Sequence, residues 1–320
     1  MREVQVPRSL YGLPIVGYGM TGLVIELDEH TVIKQPVGED GWRDHQIERR
    51  IYTRLGSHPR IVQVISHHRV GLVMEKLGHP LRLRLMNLRQ EGKLPSAEEI
   101  LRWSSQTAEG LQYLHEKNIF QCDVGCHNIL LDSKDDVKIC DFAGSSIDGE
   151  KAEVLPSSHS QYPMADHNAM VYPTVRSEVF ALGAVIYEIS TTLQPYHDKG
   201  GKEIERLYAA GKFPATASLL LGDVILKCWT CQYASAGEVV TDIRRAETDR
   251  PGLKMSRFWS DPSVLVIVAA VVVIAFLSKF RCVASRRILP LAAPSRVGRG
   301  NWGIASAWQG SNHDAKRERG

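Results

Sequence analysis

The sequence predicts an α+β protein, with a small strand-rich N-terminal part carrying one helix and a larger, mainly helical part after it. Three observations predict this. Residues 13–34 alternate apolar positions with glycine and end in Val32-Ile33-Lys34. Ile100, Trp103, Thr107, Leu111 and Leu114 recur at helical spacing, and residues 178–189 are apolar almost all round, as in a helix buried inside a domain.

The elements follow in order. Residues 13–34 read as strands joined by tight turns, with no helix start among them. Between Trp42 and Leu55 the positions Ile47, Ile51 and Leu55 predict one helix, stopped by Gly56-Ser57-His58-Pro59. Residues 61–65 and 70–74 read as two more strands, and Gly78-His79-Pro80 breaks the chain between the two parts. After Pro95, Ser96 and Glu99 form a capping box that opens a long helix. Residues 128–131 and 137–139 form a hairpin around Asp132-Ser133-Lys134-Asp135-Asp136, and helical spacing returns at 219–229 and 238–243.

At 320 residues the chain can hold one large two-part domain or two ordinary ones. With 43% hydrophobic and 23% charged residues it is not a disordered, collagenous or disulfide-scaffold chain. A net charge of +3 is small for this size and implies no nucleic-acid partner. The six cysteines, without a signal-like apolar run at the start of the sequence, lead us to expect a reduced, cytoplasmic setting. Cys122/Cys126 and Cys228/Cys231 have the spacing of half zinc sites, but no Cys/His cluster surrounds them.

The chemistry-bearing residues come next. Gly17, Gly19, Gly22 and Val24 fit G-x-G-x-x-G-x-V, which is either a strand-to-helix dinucleotide turn or a strand-turn-strand flap over nucleotide phosphates. Residues 23–27 are β-like, which selects the flap. Lys34 closes a strand, and a lysine facing phosphates needs a carboxylate to hold its flexible stem; Glu48 on the following helix is the candidate. Asp123 and Asn128 are separated by four residues, and Asp141 begins Asp141-Phe142-Ala143. Oxygen ligands of this kind suit Mg²⁺, which bridges phosphates and keeps its waters.

From Tyr113 to Asp132 the chain resembles the catalytic loop of protein kinases, and residues 138–143 resemble the family's D-F-G segment. The likeness extends over about residues 10–247, through Ser177 to Gly183, Tyr187-Glu188-Ile189, Pro195-Tyr196 and Cys228-Trp229. In the wording Phe180-Ala181-Leu182-Gly183 and Cys228-Trp229 it is similar to a divergent group of fungal protein-kinase-like sequences. The large-lobe helix at 178–189 disfavours small-molecule kinases of the aminoglycoside type.

The resemblance implies a bilobal protein kinase-like fold, with an N-lobe of about 10–77 and a C-lobe of about 78–247. It implies ATP and Mg²⁺ between the lobes and a protein as phosphoryl acceptor, serine or threonine by default. Asp123 would accept or orient the substrate hydroxyl, with Lys34 and Glu48 as the ion pair and Asn128 and Asp141 as metal ligands. Gly17, Gly19, Gly22, Val24, Lys34 and Leu130 would line the nucleotide site, with Glu75 and Leu77 in the hinge segment Met74-Glu75-Lys76-Leu77 that meets adenine through backbone groups.

Departures from the family pattern support a second reading, a pseudokinase acting as a nucleotide-binding or scaffold module. The usual H-R-D is Gln121-Cys122-Asp123, which removes the arginine that grips a phosphorylated activation loop. Gly125 stands where serine/threonine kinases carry a lysine, and Ala143 replaces the glycine of D-F-G. The A-P-E segment is faintly present as Pro163-Met164-Ala165-Asp166, with its usual arginine partner also missing near Ser235-Ala236.

Beyond a linker at 248–261, the segment 262–280 contains fourteen consecutive apolar residues and approaches the length of a membrane span. It is expected to anchor the chain in a membrane with the catalytic part facing the cytosol, the alternative being an apolar segment packed on the large lobe. The basic residues that follow it argue for the opposite orientation, an argument weakened by the length of the preceding domain. Residues 281–320 read as a basic, solvated tail.

Overall fold

The computed structural model describes residues 4–19, 22–164 and 167–249. The N-terminal part is a five-stranded antiparallel sheet in the order β1-β2-β3-β5-β4, formed by β1 (Ile15–Tyr18), β2 (Gly22–Glu26), β3 (Thr31–Pro36), β4 (Val64–His68) and β5 (Gly71–Glu75). Helix α1 (Gly38–Leu55) lies between β3 and β4 in the chain. It starts four residues before the apolar spacing at Trp42, with Glu39 and Asp40 in its first turn facing the positive end of the helix dipole.

The sheet is apolar on both faces, which explains its continuous Val/Ile runs. Val32, Leu72 and Met74 face the main core, whereas Ile25, Ile33 and Val73 pack beneath Val4, Val6, Leu10 and Leu13. Where β3 meets β5, a Cβ on Gly71 would stand 2.2 Å from the carbonyl oxygen of Lys34. Only glycine permits that approach, and the pairing of Lys34 with Leu72 depends on it.

The larger part contains α2 (Leu81–Gln90), α3 (Ala97–Glu116), α4 (Val175–Thr191), α5 (Gly201–Ala209), α6 (Gly222–Trp229) and α7 (Ala236–Thr248). Two small hairpin-like pairs complete it, β6 (Ile119–Phe120) with β9 (Ser146–Ile147) and β7 (Ile129–Leu131) with β8 (Val137–Ile139). The predicted capping box is present: Ser96 Oγ accepts from the Glu99 N–H at 3.2 Å, and Glu99 Oε2 accepts from the Ser96 N–H at 2.8 Å. All five apolar-face positions of α3 named above are buried.

Three expectations needed revision. The strand expected at 61–65 lies at Val64–His68, because Ile61 and Val62 turn away from the sheet into the core. There the Val62 N–H donates to the Ile139 carbonyl at 3.1 Å, so their apolar character marks burial between the two lobes. Helix α2 was not anticipated, because Leu81-Arg82-Leu83-Arg84-Leu85 has period two by eye while Leu81, Leu85 and Leu88 form a buried helical stripe. Helix α5 was not anticipated either; it buries only Ile204 and Tyr208.

His45, on α1, is buried, and its Nε2 has no partner among the described residues. Burial first, then the charges of Arg49 and Lys34, lower its pKa to about 4. The unfolded histidine takes a proton near its ordinary value, so the unfolded state binds more protons as pH falls toward 4, and stability drops with it. Between pH 7 and pH 5 this should cost about 1–2 kcal/mol after solvent relaxation is allowed for. Urea unfolding of the wild type and His45→Gln at both pH values measures it: the wild type should show the steeper loss, and equal losses would count against the buried neutral histidine.

The segment 262–280 and the basic tail lie outside the described residues. Among the described residues no helix is long and apolar enough to cross a membrane.

Candidate active site

The site is built from β1–β3 and α1 above and from the loops around β7 and β8 below. Gly17 pairs with Val24 across β1 and β2, and the Gly19 N–H donates to the Gly22 carbonyl at 2.9 Å. A Cβ on Gly22 would stand 2.9 Å from the Gln35 carbonyl oxygen, so glycine there lets β2 lie close to β3 beside the Lys34 stem. A Cβ on Gly19 would meet no described atom within 4 Å, which leaves open space beside that backbone. Val24, Leu77 and Leu130 are half-buried and pack on the same core cluster from the sheet, the connecting segment and β7.

Lys34 is the junction of the upper and lower walls. Its Nζ donates to Glu48 Oε1 at 2.8 Å and to Asp141 Oδ1 at 2.7 Å. Burial opposes its charge, but Glu48 and then Asp141 overcome this and hold its pKa above the ordinary lysine value. Burial likewise raises the Glu48 pKa against the pull of Lys34. Asp141 is opposed by burial too, but Lys34 keeps its carboxyl below the usual range.

Glu48 Oε1 also accepts from the Phe142 N–H at 3.3 Å, and the Phe142 ring is fully buried, edge-on to Tyr52 with centroids 5.0 Å apart. Phe142 is thus turned inward under α1 while Asp141 faces the cleft. The left-handed backbone in this segment falls on Asp141 (φ 59°) and Gly144 (φ 81°), not on Ala143. Alanine at 143 therefore carries no left-handed strain.

The lower loop is held from both sides. Asn128 Nδ2 donates to the Asp123 carbonyl at 3.0 Å and to Asp123 Oδ2 at 3.2 Å, and the His127 Nε2 lies 2.8 Å from the same Oδ2. Asp123 Oδ1, Asn128 Oδ1 and Asp141 Oδ2 have no hydrogen-bond partner among the described residues. Free carboxylate and amide oxygens are the ligands that Mg²⁺ takes, and the Lys34 ammonium beside Asp141 is a group that phosphate favours.

Two bracing residues were not read from the sequence. Gln121, which replaces the motif histidine, is buried and bridges the loops: its Nε2 donates to the Asp141 carbonyl at 3.2 Å and its Oε1 accepts from the Asp123 N–H at 2.8 Å. Glu178 of α4 accepts from the Cys122 N–H at 2.7 Å and contacts His115 Nε2 at 2.7 Å. No sequence signal marks these partners, since Glu178 and Cys122 are 56 residues apart.

The hinge residues are placed as follows. Glu75 Oε1 accepts from Lys138 Nζ at 2.6 Å and from the Gln63 N–H at 2.7 Å, and the Glu75 N–H donates to the Gln63 carbonyl at 3.0 Å. The Leu77 N–H has no partner among the described residues, whereas the neighbouring Lys76 and Gly78 N–H groups donate to His30 and Leu131 carbonyls.

Ala165 and Asp166 of the faint A-P-E segment lie outside the described residues. The segment after Asp141 is tied to α1 by Arg43–Glu153 at 3.3 Å, Arg50–Glu150 at 2.6 Å and Arg54–Asp148 at 2.5 Å. These pairs are exposed and screened by solvent, so each adds little to stability. They join the two segments with carboxylates already present in the chain.

A family model for the protein kinase domain matches residues 17–229. Among curated proteins the chain is similar to serine/threonine/tyrosine-protein kinase HT1 of Arabidopsis thaliana, 26% identical over 183 residues that cover 54% of this chain and 46% of that protein. It is similar to a probable serine/threonine-protein kinase MRK1 homolog of Encephalitozoon cuniculi, 27% identical over 195 residues, 58% of this chain and 61% of that protein. It is also similar to the epidermal growth factor receptor of Drosophila melanogaster, 28% identical over 165 residues, 47% of this chain and 11% of that protein. The chain thus spans under two thirds of the length of each of these relatives, and the name of the first gives serine, threonine and tyrosine together. The two-lobed fold, the cleft that joins Lys34, Glu48 and Asp141, and a family model covering more than half of the sequence agree, and this chain belongs to the protein kinase family.

Proposed function

We propose that this chain is an active protein kinase that transfers the γ-phosphoryl group of ATP to a protein hydroxyl, serine or threonine by default. The observation that carries the reading is the double ion pair of Lys34 with Glu48 and Asp141, formed while Phe142 is buried. This family needs the lysine–glutamate pair, which Lys34 and Glu48 form, together with a D-F-G aspartate on Mg²⁺, a ligand that Asp141 would supply through its free Oδ2.

Residues 10–247 are read as the catalytic domain, with lobes at 10–77 and 78–247, 248–261 as a linker and 281–320 as a tail. Gly17, Gly19 and Gly22 cover the phosphates, Val24, Leu77 and Leu130 supply apolar contact to the adenine, and main-chain groups of Glu75 and Leu77 face its edge. Lys34 orients the phosphates, and Glu48 holds Lys34. Asp123 Oδ1, the oxygen without a partner, takes the proton as the acceptor oxygen bonds to the γ-phosphorus and the bond to the ADP oxygen breaks. Mg²⁺, held by Asn128 Oδ1 and Asp141, would neutralise phosphate charge and align the β- and γ-oxygens. Dependence on ATP is the support for reading this domain as cytosolic.

The test uses the full chain, Mg²⁺ with γ-labelled ATP, a mixed protein substrate and phosphoamino-acid analysis, with Asp141→Asn alongside. Labelled phosphoserine or phosphothreonine that disappears in the variant is the expected result. Label on tyrosine alone would change the acceptor, and ATP binding without transfer would favour the scaffold reading, which Gly125 motivates.

A further inference from the structure

Gly125 lies where the family resemblance leads one to expect a lysine, and its backbone does not explain the glycine. With φ −170° and ψ 159° it is extended, a conformation open to any residue. Space explains it. A Cβ on residue 125 would stand 2.6 Å from both Cε1 and Nδ1 of His127, closer than real Cβ atoms come, while its next neighbour, Arg82 Nη2, would be at an ordinary 3.7 Å. The imidazole of His127 therefore fills the volume through which a side chain at 125 would leave the backbone.

The ring is also committed to Asp123. An ionised carboxylate only accepts, so at 2.8 Å the His127 Nε2 carries the proton and donates to Asp123 Oδ2. Asn128 Nδ2 donates to the same oxygen at 3.2 Å, and together the two donors turn Oδ1 free. The His127 side chain is 35% exposed, so it lies at the cleft surface rather than in the core. Its Nδ1 is buried without a partner among the described residues.

We propose that His127 is the positioning residue of Asp123, occupying the space that Gly125 leaves and holding the carboxylate with Oδ1 toward the substrate hydroxyl. The inference rests on the phosphoryl-transfer reading and makes positions 125 and 127 one coupled unit. A side chain at 125 and the ring at 127 exclude each other, and either a lysine or a histidine supplies the donor beside Asp123.

The experiment compares the full-length wild type with His127→Ala, Gly125→Lys and the double variant, measuring kcat and the KM for ATP. His127→Ala should lower kcat about 10- to 100-fold with KM within about twofold. Gly125→Lys alone should also lower kcat, because its Cβ displaces the ring. The double variant should recover at least about threefold over either single variant, since the lysine then has room to reach Asp123. An unchanged kcat in His127→Ala, or losses that multiply in the double variant, would overturn the proposal.

A spectroscopic arm separates this proposal from the transfer reading. In ¹⁵N-histidine-labelled protein the His127 Nε2 signal, identified by its absence in His127→Ala, should move in Asp123→Asn. If the wild type transfers no phosphate, the transfer reading fails. An Nε2 signal that moves would then still support the contact, and one that does not move would overturn it.

Discussion

Replacing Asp123 with asparagine should lower kcat for phosphoryl transfer by about 10²- to 10⁴-fold, the range for losing a positioned proton acceptor. The substitution keeps the volume and one oxygen, so His127 and Asn128, which already share Oδ2, keep an acceptor. What it removes is the free carboxylate oxygen on the substrate side. The loop itself should hold, because the Asp123 N–H is bound by Gln121 Oε1 and the Cys122 N–H by Glu178, both independent of the side chain at 123. ATP affinity should also hold, since the Lys34 ammonium, proposed to orient the phosphates, is anchored by Glu48 and Asp141 and not by Asp123. Steady-state kinetics with a nucleotide titration separate the two effects. A kcat within about threefold of the wild type would remove Asp123 from the chemistry.

Truncating Glu178 to alanine should be the most costly single change to the site's framework. Glu178 is buried, and it is the shared partner of the Cys122 N–H and His115. Its loss leaves two buried polar groups unpaired and a cavity, at a cost of about 3–5 kcal/mol. For a domain of this size that corresponds to a fall in Tm of about 10 °C. Cys122 adds to the effect: its φ of 71° is left-handed in a residue other than glycine, and the Glu178 bond holds that conformation next to Asp123. The variant should therefore lose activity even below its melting temperature. Glu178→Gln, which keeps an acceptor for the Cys122 N–H, should fall between the two. Thermal unfolding and kcat at 20 °C measure both, and a Glu178→Ala protein as stable and active as the wild type would show that α4 does not brace this loop.

Much of the chemistry was legible because it is local. Lys34 follows a β-type run, Asp123 and Asn128 share one short loop, and Asp141 opens the next, so residue type, spacing and the family resemblance together singled out Lys34 and Asp141, and Asp123 and Asn128, which the fold brings into contact. Helix α3 was legible for a similar reason: the Ser96/Glu99 cap and the 3.6-residue apolar spacing are written into consecutive residues. Helix α2 was not, because arginines between leucines read as period two until the core selects Leu81, Leu85 and Leu88.

The order of the strand-rich and helical parts was determined by the sequence by itself, since it depends on neighbours within a few positions. Tertiary structure alone decided which groups hold the residues of the cleft still. Glu178 reaches Cys122 across 56 residues, Gln121 joins Asp123 to Asp141, and the arginines of α1 meet Glu150 and Asp148 across 100 and 94 residues. Gly125 reads in the sequence as a missing lysine, and in the fold as the space taken by His127. Periodicity and motif spacing encode which face of an element is buried; which polar partner waits on the other side is set by how the packed elements dock, and that depends on the whole chain.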